Sequence, residues 1–159
     1  MKPIKQFIRS VFPKVFFTNP AYFRALVLGV LYLGIALSQL FTYEKFAGVL
    51  GGYGLPGGQG TAQVLAVLLP LATCAALPFL LSMRMGKVLA KVSAAAVVAA
   101  PVLWSLMAIW ANFAPNASKL NTGIFGATLA VPVGLWFVAF TLLWAWAGIL
   151  VVRELPVRK

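Results

Sequence analysis

The reactive side chains of this chain are few, and their types limit the chemistry that it can carry out. Its 159 residues include no histidine, a single cysteine, Cys74, and two acidic residues, Glu44 and Glu154. Haem, zinc and iron–sulfur centres need several such ligands, so we expect no metal site, and Cys74 has no second cysteine with which to form a disulfide. One short region combines several side chains that can form hydrogen bonds, among them Gln39, Tyr43, Glu44, Lys45 and Tyr53. This pattern favours non-covalent binding or contact with lipid headgroups.

The composition places those residues in a membrane. Hydrophobic residues make up 62% of the chain and charged residues 9%. A soluble protein usually carries about 25% charged residues, which are needed to coat its surface. The net charge of +11 comes from short basic clusters beside apolar runs, where lysine and arginine meet anionic headgroups. We therefore expect a lipid bilayer around the chain and no nucleic acid among its partners.

Four apolar runs are long enough to cross that bilayer as helices. They cover about residues 22–43, 62–83, 92–113 and 124–152. The first carries no charge between Ala25 and Thr42, and as a helix it reaches roughly 33 Å, enough for a hydrocarbon core. The last run is longer than a bilayer requires, so we expect it to tilt, to kink at Pro132 or to project beyond the membrane. The sequence predicts an all-α membrane protein in which residues 21–159 form a bundle of four transmembrane helices.

Prolines interrupt the second and third predicted spans. Pro70 and Pro78 lie in the second span, and Pro101 lies in the third. A proline has no N–H and leaves the carbonyl four residues earlier without its helical partner. We expect neighbouring helices to supply hydrogen-bond donors to these freed carbonyls.

Residues 1–20 predict a different kind of helix before the first span. Apolar side chains recur there with the spacing of one helical face, and those best suited to anchor it are Phe7, Ile8, Val11 and Phe12. The segment is too short and too charged to span, so we predict an amphipathic helix lying in the membrane interface. Docking onto a partner is the alternative, and anchoring to the lipid surface is the interpretation that we favour.

The distribution of basic residues predicts how the spans are oriented. Eleven lysines and arginines fall in the N-terminal segment, in the turn between the second and third spans and near the C-terminus. Only Lys45 and Lys119 fall in the other two loops. Basic loops are retained in the cytoplasm, so we expect both termini there and residues 48–60 and 114–122 outside. The first of these outer segments holds seven glycines, which predicts a loop.

Several short motifs between Arg24 and Phe113 resemble those of the DoxX and MauE-like group of small four-helix membrane proteins. They are Arg24 at the start of the first helix, the run 34–41 at its end, Phe46-Ala47 beyond it, Tyr53-Gly54-Leu55-Pro56 in the loop, and Pro70. Where that family commonly has a lysine and a glutamate, this chain has Gln39 and Thr73 or Cys74. The resemblance implies a link to quinone-coupled oxidation of sulfur compounds or to maturation of periplasmic redox enzymes.

Two functions from different classes are compatible with these features. The first is an accessory subunit or assembly partner of a larger membrane protein complex, without catalysis or a cofactor of its own. The second is a DoxX-like quinone-linked oxidoreductase subunit, with the mouth of an apolar quinone cleft at Gln39, Tyr43, Glu44, Lys45 and Tyr53. The same five residues also fit an interfacial belt that meets headgroups, which is the interpretation we favour for them. Either protein would be a multi-pass protein of the bacterial inner membrane.

Overall fold

The computed structural model describes residues 18–114 and 117–155, and within these ranges the protein is an all-α bundle. Its four long helices are α1 (Pro20–Phe41), α3 (Gly58–Leu80), α4 (Lys87–Phe113) and α5 (Leu135–Glu154). Each is long and apolar enough to cross a membrane, which confirms the predicted four-helix membrane bundle. A short helix α2 (Tyr43–Gly51) follows α1, and a 3-10 turn (Ala117–Lys119) follows α4. The predicted anchor residues Phe7, Ile8, Val11 and Phe12 lie outside the described residues.

The glycine-rich loop is shorter than the sequence predicted. The composition of residues 48–60 favours a loop, but α2 continues to Gly51 and α3 begins at Gly58. Phe46 and Leu50 of α2 are fully buried, and α2 packs against α3. Burial of these side chains outweighs the low helix propensity of the glycines, because most helical stability in proteins comes from packing.

The long helices pack in the order α1, α3, α4 and α5, and α5 closes the bundle through a smaller contact with α1. Helix α4 is the most deeply placed: 56% of its most apolar stretch is buried, against 33 to 39% for the other three spans. Helices α1 and α4 lie diagonally opposite each other, with no pair of their Cα atoms within 8 Å.

The two ends of the bundle differ in charge and in structure. One end holds the start of α1, the turn between α3 and α4, and the end of α5. We call it the basic end, because its described basic residues are Arg24, Arg84, Lys87, Lys91 and Arg153. The opposite end holds α2, the 3-10 turn and residues 120–134, which we call the cap segment. This capped end has Lys45 and Lys119 as its described basic residues.

Pro101 interrupts the hydrogen bonds of α4 in the middle of the bundle, and a tyrosine of α1 supplies a replacement donor. Because Pro101 has no N–H, the carbonyl of Val97 loses its helical partner. The Tyr32 hydroxyl donates a hydrogen bond to that carbonyl across the diagonal, and both residues are fully buried. Helix α5 completes the site: the ring of Trp144 meets the Tyr32 ring edge-on, with 4.9 Å between centroids. Gly148 leaves room for the same carbonyl, which would lie 2.8 Å from a Cβ atom at that position.

A side chain of α4 also bonds the backbone of α3 beside Pro78. The Ser93 hydroxyl accepts a hydrogen bond from the N–H of Phe79 at 3.0 Å and donates one to the carbonyl of Ala75 at 2.6 Å. These two backbone groups would pair with each other in an uninterrupted helix. A neighbouring helix therefore satisfies the carbonyl freed by Pro101, as the sequence predicted, and Ser93 bridges two backbone groups next to Pro78.

The last predicted span is wrong in its first part. The sequence predicted a helix over residues 124–152, but α5 begins at Leu135. The cap segment instead folds back on itself, and Asn121 faces Pro132 in an isolated antiparallel bridge. The N–H of Thr122 bonds the carbonyl of Val131 at 2.8 Å within this turn. The remaining helix has 20 residues, so it fits a bilayer without the extra length that the sequence suggested.

Candidate functional site at the capped end

The cap segment lies over the end of α1 and against α2, and its shape is set by one asparagine. The side-chain oxygen of Asn121 accepts hydrogen bonds from the N–H of Gly123 at 3.1 Å and from that of Val131 at 3.3 Å. Gly123 has a positive φ of 63° and packs on α2, where a Cβ atom would come within 3.1 Å of Phe46. Asn121 thus links the beginning of the cap segment to Val131 near its end. Gly123 lets the cap segment approach α2 closely.

Gln39 is a fixed part of the interior at this end of the bundle. It lies in the last turns of α1, is fully buried, and donates from its Nε2 to the carbonyl of Ile124 at 2.9 Å. Its Oε1 has no hydrogen-bond partner among the described residues. The amide therefore holds the cap segment down by one bond, and it does not open onto the surface at the predicted quinone mouth.

Tyr53 holds the cap segment from the other side. It lies between α2 and α3, is almost fully buried, and its hydroxyl donates to the carbonyl of Thr122 at 2.6 Å. Burial raises the pKa of Tyr53 above its ordinary value, so the phenol keeps its proton and remains a donor. The indole N–H of Trp110 in α4 donates in turn to the Tyr53 carbonyl at 3.1 Å. The tyrosine is thereby tied to both the cap segment and the bundle.

Thr42 and Gly126 form a third attachment that the sequence did not reveal. The Thr42 hydroxyl donates to the carbonyl of Ser38 at 2.8 Å and accepts from the N–H of Ala127 at 2.8 Å. Gly126 has a φ of 60°, and a Cβ atom there would overlap the Thr42 hydroxyl and lie 2.5 Å from the Ser38 carbonyl oxygen. The only signal in the sequence was the pair of glycines, Gly123 and Gly126, inside an apolar run.

Tyr43, Glu44 and Lys45 occupy a different position, on the outside of the capped end. Tyr43 and Glu44 line a groove between α2 and α3 of about 410 Å³, which we call the lateral groove. Its other lining residues are Ala47, Gln63, Val64 and Val67. A second, neighbouring concavity is formed by residues 40–45, and Lys45 lines that one.

The five predicted site residues therefore form two groups. Gln39 and Tyr53 bond the backbone of the cap segment from inside the protein, whereas Tyr43, Glu44 and Lys45 face outward. Only the outward group can touch a molecule that approaches from the membrane or from its surface. The lateral groove offers that molecule an apolar floor with hydrogen-bonding groups at its edge, which suits a polypeptide or a neutral ring.

An aromatic cluster lies in the bundle interior near the cap segment, whose Gly123 packs on Phe46. Trp104 of α4 lies between Phe46 of α2 and Phe137 of α5, with ring centroids 6.3 Å and 6.0 Å away. Its indole N–H and the Thr122 hydroxyl oxygen are buried without a partner in the described part of the chain. No three His, Cys, Asp or Glu side chains within residues 18–114 and 117–155 come together as metal ligands. The arrangement is one of packing and hydrogen bonding.

Neither a family model, nor a curated protein, nor a solved structure matches this chain. The resemblance to DoxX and MauE-like proteins remains a prediction based on its short motifs. What can be inferred about function therefore depends on where the structure places the side chains.

Proposed function

We propose that this protein is an accessory subunit or assembly partner of a larger membrane protein complex and carries out no bond chemistry of its own. The main support is the use of polar side chains inside the bundle. Tyr32, Gln39 and Ser93 each bond backbone groups of another helix or of the cap segment. Thr73, Ser105 and Thr141 bond carbonyls of the preceding turn of their own helix. Each of these side chains thus forms at least one bond that holds the fold together, which is the role of a structural group.

The lateral groove is the surface that we assign to a partner protein. Its floor is apolar, with Val64 and Val67 exposed by 64% and 42%. Its edge carries Glu44, which forms no ion pair with any described residue, whereas the other acid, Glu154, is paired with Arg24. A transmembrane partner that presents apolar side chains to the floor and a lysine or arginine to Glu44 fits this surface.

Co-purification from the native membrane tests this proposal. Val64→Trp would fill the lateral groove, so we expect the bound polypeptides to be lost. Leu71→Trp is the matched control, because Leu71 is also an exposed residue of α3 but does not line the groove. Glu44→Gln should weaken the complex in the same direction as Val64→Trp. A wild-type protein that leaves its membrane without any fixed polypeptide would contradict the proposal.

A quinone-linked oxidoreductase subunit is the second candidate, and the same groove favours it. A neutral quinone needs an apolar floor with hydrogen-bonding groups at its edge, which Tyr43, Glu44 and Gln63 could supply. Extraction of the purified protein separates the two candidates. Stoichiometric quinone that is lost in Tyr43→Phe would favour the oxidoreductase role over the subunit role. Loss in Gln39→Leu alone would indicate a site beneath the cap segment.

The location that we propose is the bacterial inner membrane, with the basic end in the cytoplasm. Of the described lysines and arginines, five lie at the basic end and two at the capped end. Because basic residues are retained on the cytoplasmic side, this difference supports the orientation. The lateral groove would then open on the periplasmic side, where a periplasmic or membrane-embedded partner could reach it.

A further inference from the structure

A second groove lies on the membrane-facing side of the protein, at the basic end. It runs between α1 and α5, which touch each other less than any other neighbouring pair of long helices. The groove has a volume of about 410 Å³, and its apolar lining includes Phe23, Val27 and Leu28 of α1 and Trp146, Ala147 and Leu150 of α5. We call it the α1–α5 groove. None of the described residues covers these apolar side chains on their outer side, so lipid or a partner must do so.

A charged pair lies at the mouth of this groove. Arg24, which also lines it, forms an ion pair with Glu154 at 2.7 Å, and their side chains are 52% and 32% exposed. Glu154 engages one terminal nitrogen of the guanidinium, and an arginine has five N–H donors in a fixed plane. Within the described residues Glu154 is the partner of this side chain, which leaves its other donors for an anion, and the other basic residues of this end leave it with a net positive charge.

Arg24 lies near the end of a membrane-spanning helix, which is where lipid phosphates are expected. It is the fifth residue of α1, so it lies about 6 Å along the helix from its first residue, Pro20. The apolar lining continues from there toward the middle of the membrane, along Val27 of α1 and Trp146 of α5. A guanidinium at headgroup depth above an apolar groove is complementary to a phosphate with an attached acyl chain.

We propose that the α1–α5 groove binds an anionic phospholipid, with its phosphate on Arg24 and one acyl chain lying along Val27 and Trp146. The charges favour this occupant over a second copy of the chain, because two copies in the same orientation would bring their basic ends together. The length of the groove favours it over a partner helix. The lining residues span fewer than two turns of α1 and of α5, or roughly 9 Å.

Native mass spectrometry of the purified full-length protein tests the proposal. Dioleoylphosphatidylglycerol is added to the protein in mild detergent, and dioleoylphosphatidylcholine is added in a parallel series. We expect the anionic lipid to remain bound and the zwitterionic lipid to dissociate at equal concentration. Inorganic phosphate in excess should not displace the anionic lipid, because it lacks the acyl chain that fills the groove.

Two test variants, each with a control variant, locate the site. The neutral pair Arg24→Gln with Glu154→Gln should bind the anionic lipid about tenfold more weakly, the effect of losing one charge-assisted hydrogen bond. Arg84→Gln, at the basic end but outside the groove, should bind it as the wild type does. Val27→Trp should also weaken binding by filling the groove, whereas Val30→Trp, equally exposed on α1, should not.

The outcomes that would overturn the proposal are distinct. Equal retention of both lipids would show that the headgroup is not recognised. Equal retention by wild type, by the neutral pair and by Val27→Trp would show that the lipid lies elsewhere. A photocrosslinking amino acid in place of Val27 that captures a polypeptide in the native membrane would show that a protein covers the groove. If the neutral pair fails to fold, the comparison of Val27→Trp with Val30→Trp decides the question alone.

Discussion

The Tyr32 hydroxyl and the Val97 carbonyl form a hydrogen bond across the diagonal of the bundle, between two helices whose backbones do not meet. The carbonyl is free to accept it because Pro101, four residues later, has no N–H to offer. A proline and a tyrosine on different helices thus form one structural unit. The bundle depends on both, since each alone would leave a polar group unpaired among apolar side chains.

The first prediction follows from this bond. Tyr32→Phe removes the donor and leaves the Val97 carbonyl unpaired, so it should lower the free energy of unfolding by about 1 kcal/mol, as interhelical bonds in membranes do. Unfolding of the purified protein in mixed micelles measures the change. Pro101→Ala restores an N–H that can bond Val97, so in that background Tyr32→Phe should cost less. An equal cost in both backgrounds would contradict the shared role.

The second prediction concerns Ser93, whose hydroxyl bridges two backbone groups of α3. Ser93→Ala should lower the free energy of unfolding by about 1 to 2 kcal/mol, because it leaves both the Phe79 N–H and the Ala75 carbonyl without this partner. Ser105→Ala is the matched control. Its hydroxyl bonds only a carbonyl of its own helix, that of Pro101, so the loss should be smaller. Similar losses in the two variants would argue against a special role for Ser93.

The third prediction concerns Gly126 in the cap segment. Gly126→Ala should detach the segment from α1, because the new methyl group would overlap Thr42 and a positive φ is unfavourable for alanine. Backbone amides of residues 120–134 should then exchange with deuterium faster than in the wild type. Gly34→Ala is the control, since Gly34 lies in α1 and a Cβ there meets no atom within 4 Å. Unchanged exchange in Gly126→Ala would show that the segment is held by other contacts.

The fourth prediction concerns the orientation of the helices. Gly57 lies between α2 and α3 at the capped end, and Lys87 begins α4 at the basic end. Reporter enzymes that are active on only one side of the membrane, fused at these two positions, should report opposite sides. The Lys87 fusion should report the cytoplasm, because it lies among the basic residues. Two fusions on the same side would rule out the four-span arrangement.

The spans could be predicted from the sequence because their signal is local. Runs of apolar residues between charged turns locate α1, α3 and α4 to within a few residues, since a bilayer requires length and apolarity and little else. Residues 124–134 have the same apolar composition but fold as a turn. What distinguishes them is the distant donor Gln39, which bonds the carbonyl of Ile124, and Gly126, whose positive φ suits a turn and not a helix. Tyr53 and Gly123 act in the same way just before this stretch, where Tyr53 bonds the carbonyl of Thr122.

The direction in which side chains point could not be predicted at the candidate site. Gln39 and Tyr43 are four residues apart, about one helical turn, but the helix breaks at Thr42 between them. The Gln39 side chain is buried inside the protein, whereas that of Tyr43 is exposed on its surface. Grouping by position along the chain therefore combined residues that hold the cap segment with residues that face outward. Only the second group, which lines the lateral groove and its neighbour, remains available to a partner or a ligand.

The bond between Tyr32 and Val97 also has a consequence for synthesis at the ribosome. The two residues are 65 positions apart, which corresponds to roughly 3 to 13 seconds of translation at 5–20 residues per second. Throughout that interval the acceptor of this bond has not yet been made, and Val97 then arrives in α4 with a carbonyl that has no helical partner. The bond can therefore form only after α4 has been made, and it then links two helices that lie diagonally across the bundle and do not pack on each other.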